Sequence, residues 1–144
     1  MKPEDKASAA LIAGWVQGDP AGHRWILEYA DPQSWTALFS STRWGFVALD
    51  GQTPIGFADV ELDQATRTAY FTYYVAPNWR GQGYSRPLLD AISGYLREQT
   101  DADKLQGSVE PQNVASSRAL VAAGFNPIAT DIDGLTSYVL KLDR

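Results

Sequence analysis

Cysteine is absent from the chain, and only one histidine, His23, occurs among its 144 residues. Without thiols there can be no disulfide, no thiolate metal ligand and no cysteine nucleophile, and an intracellular setting is the expectation. A lone histidine cannot assemble a metal site, and nothing near His23 has ligand spacing, so it is given no role and no metal is expected. Long apolar runs are missing as well, and no segment reaches the length that spans a bilayer. The opening Met1-Lys2-Pro3-Glu4-Asp5-Lys6 carries acids where a secretory signal would place a basic start and an apolar core. A soluble, cytoplasmic protein with no membrane partner is expected. Positive charge is scarce too: 12 Lys and Arg against 17 Asp and Glu leave a formal net charge of −5. That balance argues against nonspecific nucleic-acid binding and leans toward cationic partners such as amines. Repeats and low-complexity tracts are also lacking. A chain of this length, 44% hydrophobic, is expected to form one domain over residues 1–144.

What is present alternates helical and strand periodicity, as in a mixed α/β (α+β) domain. Ser8 to Val16 reads as a short helix with Leu11, Ile12, Trp15 and Val16 on its inner side, ended by Gly18-Asp19-Pro20. Further helical patches are expected at His23 to Tyr29 and at Asp31 to Phe39. Strand formers then run from Trp44 to Leu49, with a turn at Asp50-Gly51, from Ile55 to Leu62, and from Thr68 to Val75. Arg86 to Gln99 reads as a long helix with Leu88, Leu89, Ile92, Tyr95 and Leu96 inward. Leu105 to Val109 is a short buried strand, and Asn113 to Ala123 a helix stopped by Gly124. Pro127 to Ile132 and Leu135 to Leu142 read as a closing hairpin around Asp133-Gly134.

The stretch from Tyr73 to Leu89 is the most informative, because an aromatic strand passes through Arg80-Gly81-Gln82-Gly83-Tyr84-Ser85-Arg86 straight into an amphipathic helix. Gly81 and Gly83 permit backbone angles that residues with a Cβ avoid, so successive N–H groups can converge on a phosphate at the positive end of the helix. Arg80 and Arg86 flank that turn with positive charge. A dinucleotide-binding loop would want glycine at position 86, and a Walker loop would continue Gly-Lys-Ser/Thr; neither is found.

Arg80 to Ser85 resembles the pyrophosphate motif Arg/Gln-x-x-Gly-x-Gly/Ala of the GNAT family of N-acetyltransferases, with Ser85 in the last small position. Downstream, Val109-Glu110-Pro111-Gln112-Asn113-Val114-Ala115-Ser116-Ser117-Arg118-Ala119-Leu120-Val121-Ala122-Ala123-Gly124-Phe125 is similar to a signature of the branch containing ribosomal-protein N-terminal acetyltransferases. The resemblance implies a central mixed, mostly antiparallel sheet flanked by helices and splayed between the family's fourth and fifth strands. It also implies a first strand before the first helix, which the opening ten residues do not supply.

By that resemblance the pantetheine arm of acetyl-coenzyme A, the implied co-substrate, bonds main-chain groups near Tyr74, Val75 and Ala76. The N–H groups of Gly81, Gln82, Gly83, Tyr84, Ser85 and Arg86, following Arg80, hold the pyrophosphate. Asn113 and Ser116, three residues apart and so on one helical face, approach the pantetheine and the sulfur. Acetyl transfer needs a neutral amine, a donor for the oxyanion and an acid for the departing thiolate. A main-chain N–H near Val75 is the implied oxyanion donor. The family's usual tyrosine acid falls at Leu120, which leaves Ser116 as the candidate acid, although a serine in a first helical turn also bonds local backbone. Tyr84, beside the turn, suits packing better than acid catalysis. Glu110 is the candidate base, ahead of Asp59 and Glu61, which share a strand face and are ordinarily solvated carboxylates.

Deprotonating a lysine side chain at pH 7 costs about 4–5 kcal/mol but an α-amine only about 1, so weak base candidates favour an acceptor of low pKa. The acceptor is expected to be a primary amine, either a protein N-terminus or a small molecule such as a polyamine or an aminoglycoside. Trp15, Trp25, Trp35 and Trp44 lie in the third of the chain that shapes the family's acceptor pocket, although tryptophans are more often core. A noncatalytic acyl-coenzyme A sensor with the same fold is the rival reading, supported by Leu120, and use of the turn for another nucleotide is a remoter one. The closing hairpin offers an edge strand for a homodimer.

Overall fold

In the computed structural model the residues described are 6–19, 27–31, 33, 40, 42–110 and 113–142. Helix α1 (Lys6–Gln17) is followed by a 3₁₀ turn at Leu27–Ala30 and by strands β1 (Arg43–Asp50), β2 (Thr53–Asp63) and β3 (Thr68–Val75). A second 3₁₀ turn (Pro77–Trp79) leads to α2 (Ser85–Gln99), β4 (Lys104–Val109), α3 (Val114–Ala122), β5 (Asn126–Thr130) and β6 (Thr136–Lys141). The strands form one six-stranded sheet in the order β1-β2-β3-β4-β6-β5. Its parallel ladder pairs Thr68 with Lys104, Ala69 with Leu105 and Tyr70 with Gln106, while β6 runs antiparallel to both β4 and β5. This is the mixed, mostly antiparallel open sheet with flanking helices that the motifs implied. The residues before α1, where the family's first strand would lie, fall outside the described residues. The expected helices at His23 to Tyr29 and Asp31 to Phe39 fall largely outside the described residues. No described helix is long and apolar enough to cross a membrane.

The chain divides into two compact units, the first running through Val60 and including Tyr73–Gln82, the second comprising Glu61–Thr72 and the chain from Gly83 onward. In the first unit α1 buries Ala9, Ile12, Ala13 and Val16, the i, i+3, i+4, i+7 stripe of a helix lying on a core. The expected inner face included Leu11, which is 40% exposed: one residue ahead of Ile12, it turns about 100° away from the stripe. Trp15 is partly buried against the cluster of Ile12, Val16, Tyr29, Val47, Phe57 and Tyr74. Phe57 lies 5.0 Å from the Tyr29 ring and 5.3 Å from that of Tyr74. Gly56 cannot be replaced cheaply, because a Cβ there would sit 2.1 Å from the Tyr74 carbonyl oxygen. Beside it the Ala76 N–H donates to the Ile55 carbonyl at 2.8 Å.

In the second unit α2 presents Leu88, Leu89, Ile92, Ser93 and Leu96 inward. Ser93 takes a buried place where Tyr95 was expected, because its hydroxyl donates to the Leu89 carbonyl at 2.9 Å and so enters without an orphaned polar group; Tyr95 is only half-buried. Leu105, Leu120 and Phe125 complete this core, with Phe71 and Phe125 5.7 Å apart. Gly124 follows α3 with φ of 96°, the left-handed stop its position suggested. The first hairpin strand begins one residue before the expected Pro127 and stops early: β5 runs from Asn126 and ends at Thr130, not Ile132. Asp131 takes over there, its Oδ1 accepting the N–H groups of Asp133 and Leu135 at 2.9 and 3.0 Å, which leaves Ile132 exposed in the turn.

Candidate functional site

In the first unit β3 delivers Tyr74, Val75 and Ala76 to the turn that ends at Arg80. The main chain closes there through Trp79 N–H to the Ala76 carbonyl at 2.9 Å and Arg80 N–H to the Pro77 carbonyl at 3.4 Å. The Arg80 side chain folds back: Nε donates to the Val75 carbonyl at 3.0 Å, Nη2 to Asp19 Oδ2 at 2.6 Å, and the guanidinium lies 5.1 Å from the centre of the Tyr74 ring. Tyr74 Oη donates to the same Asp19 oxygen at 2.7 Å. Asp19 is 6% exposed, a burial that a carboxylate tolerates only with charge-assisted partners of this kind. Burial, then the hydrogen bond and negative charge of Asp19, push the Tyr74 phenol well above its ordinary range. Two main-chain groups expected to bond the pantetheine arm are therefore already engaged: the Val75 carbonyl by Arg80 and the Ala76 N–H by Ile55.

Gly81 and Gly83 have φ of 75° and 82°, with open space where a Cβ would stand, as a phosphate turn requires. Gln82 Nε2 donates to the Asn78 carbonyl at 3.3 Å. In the second unit Gly83 leads through Tyr84 into α2; Tyr84, in the N-cap position, makes no side-chain cap bond. Of the two arginines expected to flank the turn with positive charge, Arg86 is engaged within the second unit. Arg86 Nε lies 3.2 and 3.3 Å from the Asp90 carboxylate oxygens, and Nη1 donates to the Ala122 carbonyl at 2.6 Å, at the end of α3. Each arginine thus serves a carboxylate and a main-chain carbonyl of its own unit.

The second unit also holds Glu110, Asn113 and Ser116. Asn113 is the N-cap of α3: its Oδ1 accepts the Ser116 N–H at 3.1 Å, so the three-residue step expected to align two ligand contacts is a helix cap. The cap leaves the Asn113 amide nitrogen unused. The Ser116 side chain is half-buried in the first turn of α3, as is that of Glu110 just past the end of β4. Leu120, where the family's tyrosine acid would stand, is 1% exposed and belongs to the core.

Asp59 was expected on the surface but is 4% exposed. Arg43 clamps it through Nε to Oδ1 at 3.0 Å and Nη2 to Oδ2 at 2.6 Å, and Tyr29 donates its hydroxyl to Oδ2. The hydrogen bond and charge of Asp59 outweigh burial and raise the Arg43 pKa above its ordinary value. So held, Asp59 has both carboxylate oxygens engaged as acceptors. Neither Asp19 nor Arg43 was marked by a motif; their partners lie 55, 61 and 16 residues away in sequence. Of the tryptophans, Trp15 packs on the core and Trp44 is half-buried, while Trp25, Trp35 and His23 lie outside the described residues.

Residues 2–126 match the family described as "Acetyltransferase (GNAT) domain". Spermidine N-acetyltransferase from Vibrio cholerae, solved with coenzyme A and spermine, superposes with a TM-score of 0.81 at 18% identity over 96% of this chain and 92% of that one. Campylobacter jejuni N-acetyltransferase PseH with acetyl-coenzyme A gives 0.79 at 17% identity over 99% and 97%. An aminoglycoside acetyltransferase with coenzyme A gives 0.79 at 20% over 98% and 91%. No curated protein matches the chain. With its sheet, its glycine turn and a family match over most of its length, the chain belongs to the GNAT family of acetyltransferases.

Proposed function

We propose that residues 1–144 form one acetyltransferase domain that moves an acetyl group from acetyl-coenzyme A to a primary amine by direct attack in a ternary complex. The observation that carries the co-substrate assignment is the pair Gly81 and Gly83, both at positive φ with open space on the Cβ side. Such a turn leaves its N–H groups accessible to a pyrophosphate, and Tyr84, in the N-cap position of the helix that follows, makes no side-chain cap bond. Acetyl-coenzyme A or coenzyme A in similar folds supports the same ligand here.

For the chemistry, the amine nitrogen attacks the thioester carbonyl, the Val75 N–H receives the oxyanion, and the C–S bond breaks as the thiolate takes a proton. Ser116 supplies that proton and Glu110 receives the one lost by the amine. A weak base favours an acceptor with a low pKa, which an α-amine meets more cheaply than a lysine side chain. The signature from Val109 to Phe125 supports a protein N-terminus, while polyamine and aminoglycoside acceptors of similar folds support a small amine. Leu120, buried where the family places its tyrosine acid, favours the second reading of a noncatalytic acyl-coenzyme A sensor.

Calorimetric titration with acetyl-coenzyme A, without an acceptor, tests the co-substrate assignment. Micromolar binding that Gly83→Trp abolishes is expected; absence of binding to both acetyl-coenzyme A and coenzyme A would reject the enzyme and the sensor together. Turnover on a panel of spermidine, an aminoglycoside and a peptide with a free α-amine then separates the two, since a sensor binds without turnover.

A further inference from the structure

Asp19 closes the end of α1, its N–H donating to the Val16 carbonyl at 3.2 Å, and then turns its carboxylate inward. A single oxygen, Oδ2, accepts from Tyr74 Oη and from Arg80 Nη2. Arg80 in turn reaches back five residues to the Val75 carbonyl and immediately precedes Gly81. Three groups that the glycine turn depends on are thus tied to one buried anion: the end of β3, the carbonyl of Val75 and the first residue of the turn. A guanidinium has a fixed planar fork, so an anion that holds one nitrogen sets the direction of the others.

We propose that Asp19 is a positioning residue for the phosphate turn: its carboxylate fixes the Arg80 guanidinium, which fixes the Val75 carbonyl and the approach to Gly81. The N–H groups that follow Arg80 are then ordered before the pyrophosphate arrives, which removes part of the ordering cost from binding. This inference rests on the acetyl-coenzyme A reading above.

Charge alone predicts the opposite sign, which makes the test sharp. Asp19→Asn removes a negative charge near an expected polyanion, and simple electrostatics would tighten binding. Positioning requires the reverse: with the acceptor's charge lost and only a neutral amide oxygen left to accept from Tyr74 and Arg80, acetyl-coenzyme A should bind about tenfold more weakly. Tyr74→Phe, which removes one bond to Asp19 and keeps the ring, should weaken binding in the same direction by less. Arg80→Lys should resemble Asp19→Asn, because an ammonium keeps the charge but cannot hold Asp19 and Val75 in one plane. Calorimetry on the folded full chain reads all three. The loss should be larger for acetyl-coenzyme A than for S-acetylpantetheine, which lacks the pyrophosphate; a general loosening of the fold would weaken both alike. Unchanged or tighter binding by Asp19→Asn, with wild-type binding intact, overturns the positioning role and leaves the co-substrate assignment standing. If wild type binds neither acetyl-coenzyme A nor coenzyme A, both fall. Should Asp19→Asn fail to fold, unchanged affinities in Tyr74→Phe and Arg80→Lys overturn the proposal.

Discussion

The first unit surrounds Tyr29, Phe57 and Tyr74 with two buried aspartates, each held by one arginine and one tyrosine: Asp19 by Arg80 and Tyr74, Asp59 by Arg43 and Tyr29. In the second unit the buried residues are chiefly Leu88, Leu89, Ile92, Leu96, Leu105, Leu120 and Phe125, and its ion pairs Arg67–Asp103 and Arg86–Asp90 lie at the surface. An apolar core tolerates rearrangement, since any side chain of similar volume satisfies it. A buried carboxylate does not, because it must keep its donors or leave a charge unpaired. The first unit therefore gives up tolerance for a fixed geometry where β3 enters the turn; the second keeps a packed frame for α2 and α3.

Breaking one partner of a buried pair should hurt more than removing apolar volume. Asp59→Ala leaves Arg43 and the Tyr29 hydroxyl without their acceptor, and a loss of about 3–5 kcal/mol is expected in urea unfolding. Replacing both partners, as Arg43→Met with Asp59→Leu, should cost less than Asp59→Ala alone; a double variant as unstable as the single one would refute the charge-burial account. In the second unit Leu120→Ala should cost about 3 kcal/mol through lost burial and a cavity, with no orphaned charge. A loss at Leu120 larger than at Asp59 would erase the contrast between the two cores.

Which parts were legible follows the same division. Thr68–Val75 emerged with its observed ends because strand formers and flanking turn residues are local signals. Gly81 and Gly83 were legible because positive φ leaves a residue-type signature. Ion pairs leave none: Asp19 reads as part of a helix stop, and Asp59 as the polar residue of an alternating strand, until the fold brings Arg80 and Arg43 to them. Leu11 and Tyr95 missed the inner faces of their helices because apolar character alone does not set a helix's rotation about its axis. Ser93 could enter a core only through a bond to its own helix, which composition does not show. The roles proposed for Ser116 and Glu110 rest on resemblance, since helix caps and catalytic contacts use the same residue types.

Tyr74 offers a pH handle on the first core. Its phenol pKa is raised in the folded protein, chiefly by burial and then by Asp19, so folding favours the protonated form. That contribution is fully present below the unfolded value near 10 and is lost as pH rises through the folded value. The stability difference between wild type and Tyr74→Phe should be constant from pH 7 to 9 and shrink by about 1 kcal/mol at pH 11. A constant difference to pH 11 would show that Tyr74 ionises no differently in the two states.

Arg86 should give the smallest effect and tests the claim that surface pairs in the second unit matter little. Its pair with Asp90 is exposed, and Arg before Asp at i, i+4 is the less favourable order on a helix. A cation near the start of α2 opposes that helix's dipole, whereas the bond to Ala122 favours the end of α3, so the two largely cancel. Arg86→Ala is therefore expected to change stability by about 0.5 kcal/mol or less in urea unfolding. Because its guanidinium is turned toward Asp90 and Ala122, acetyl-coenzyme A affinity should fall less than in Asp19→Asn, although Arg86 is adjacent to the turn and Asp19 is remote from it in sequence. If Arg86→Ala instead lost more affinity than Asp19→Asn, direct charge from the second unit would govern pyrophosphate binding, and the buried network of the first would be a structural feature alone.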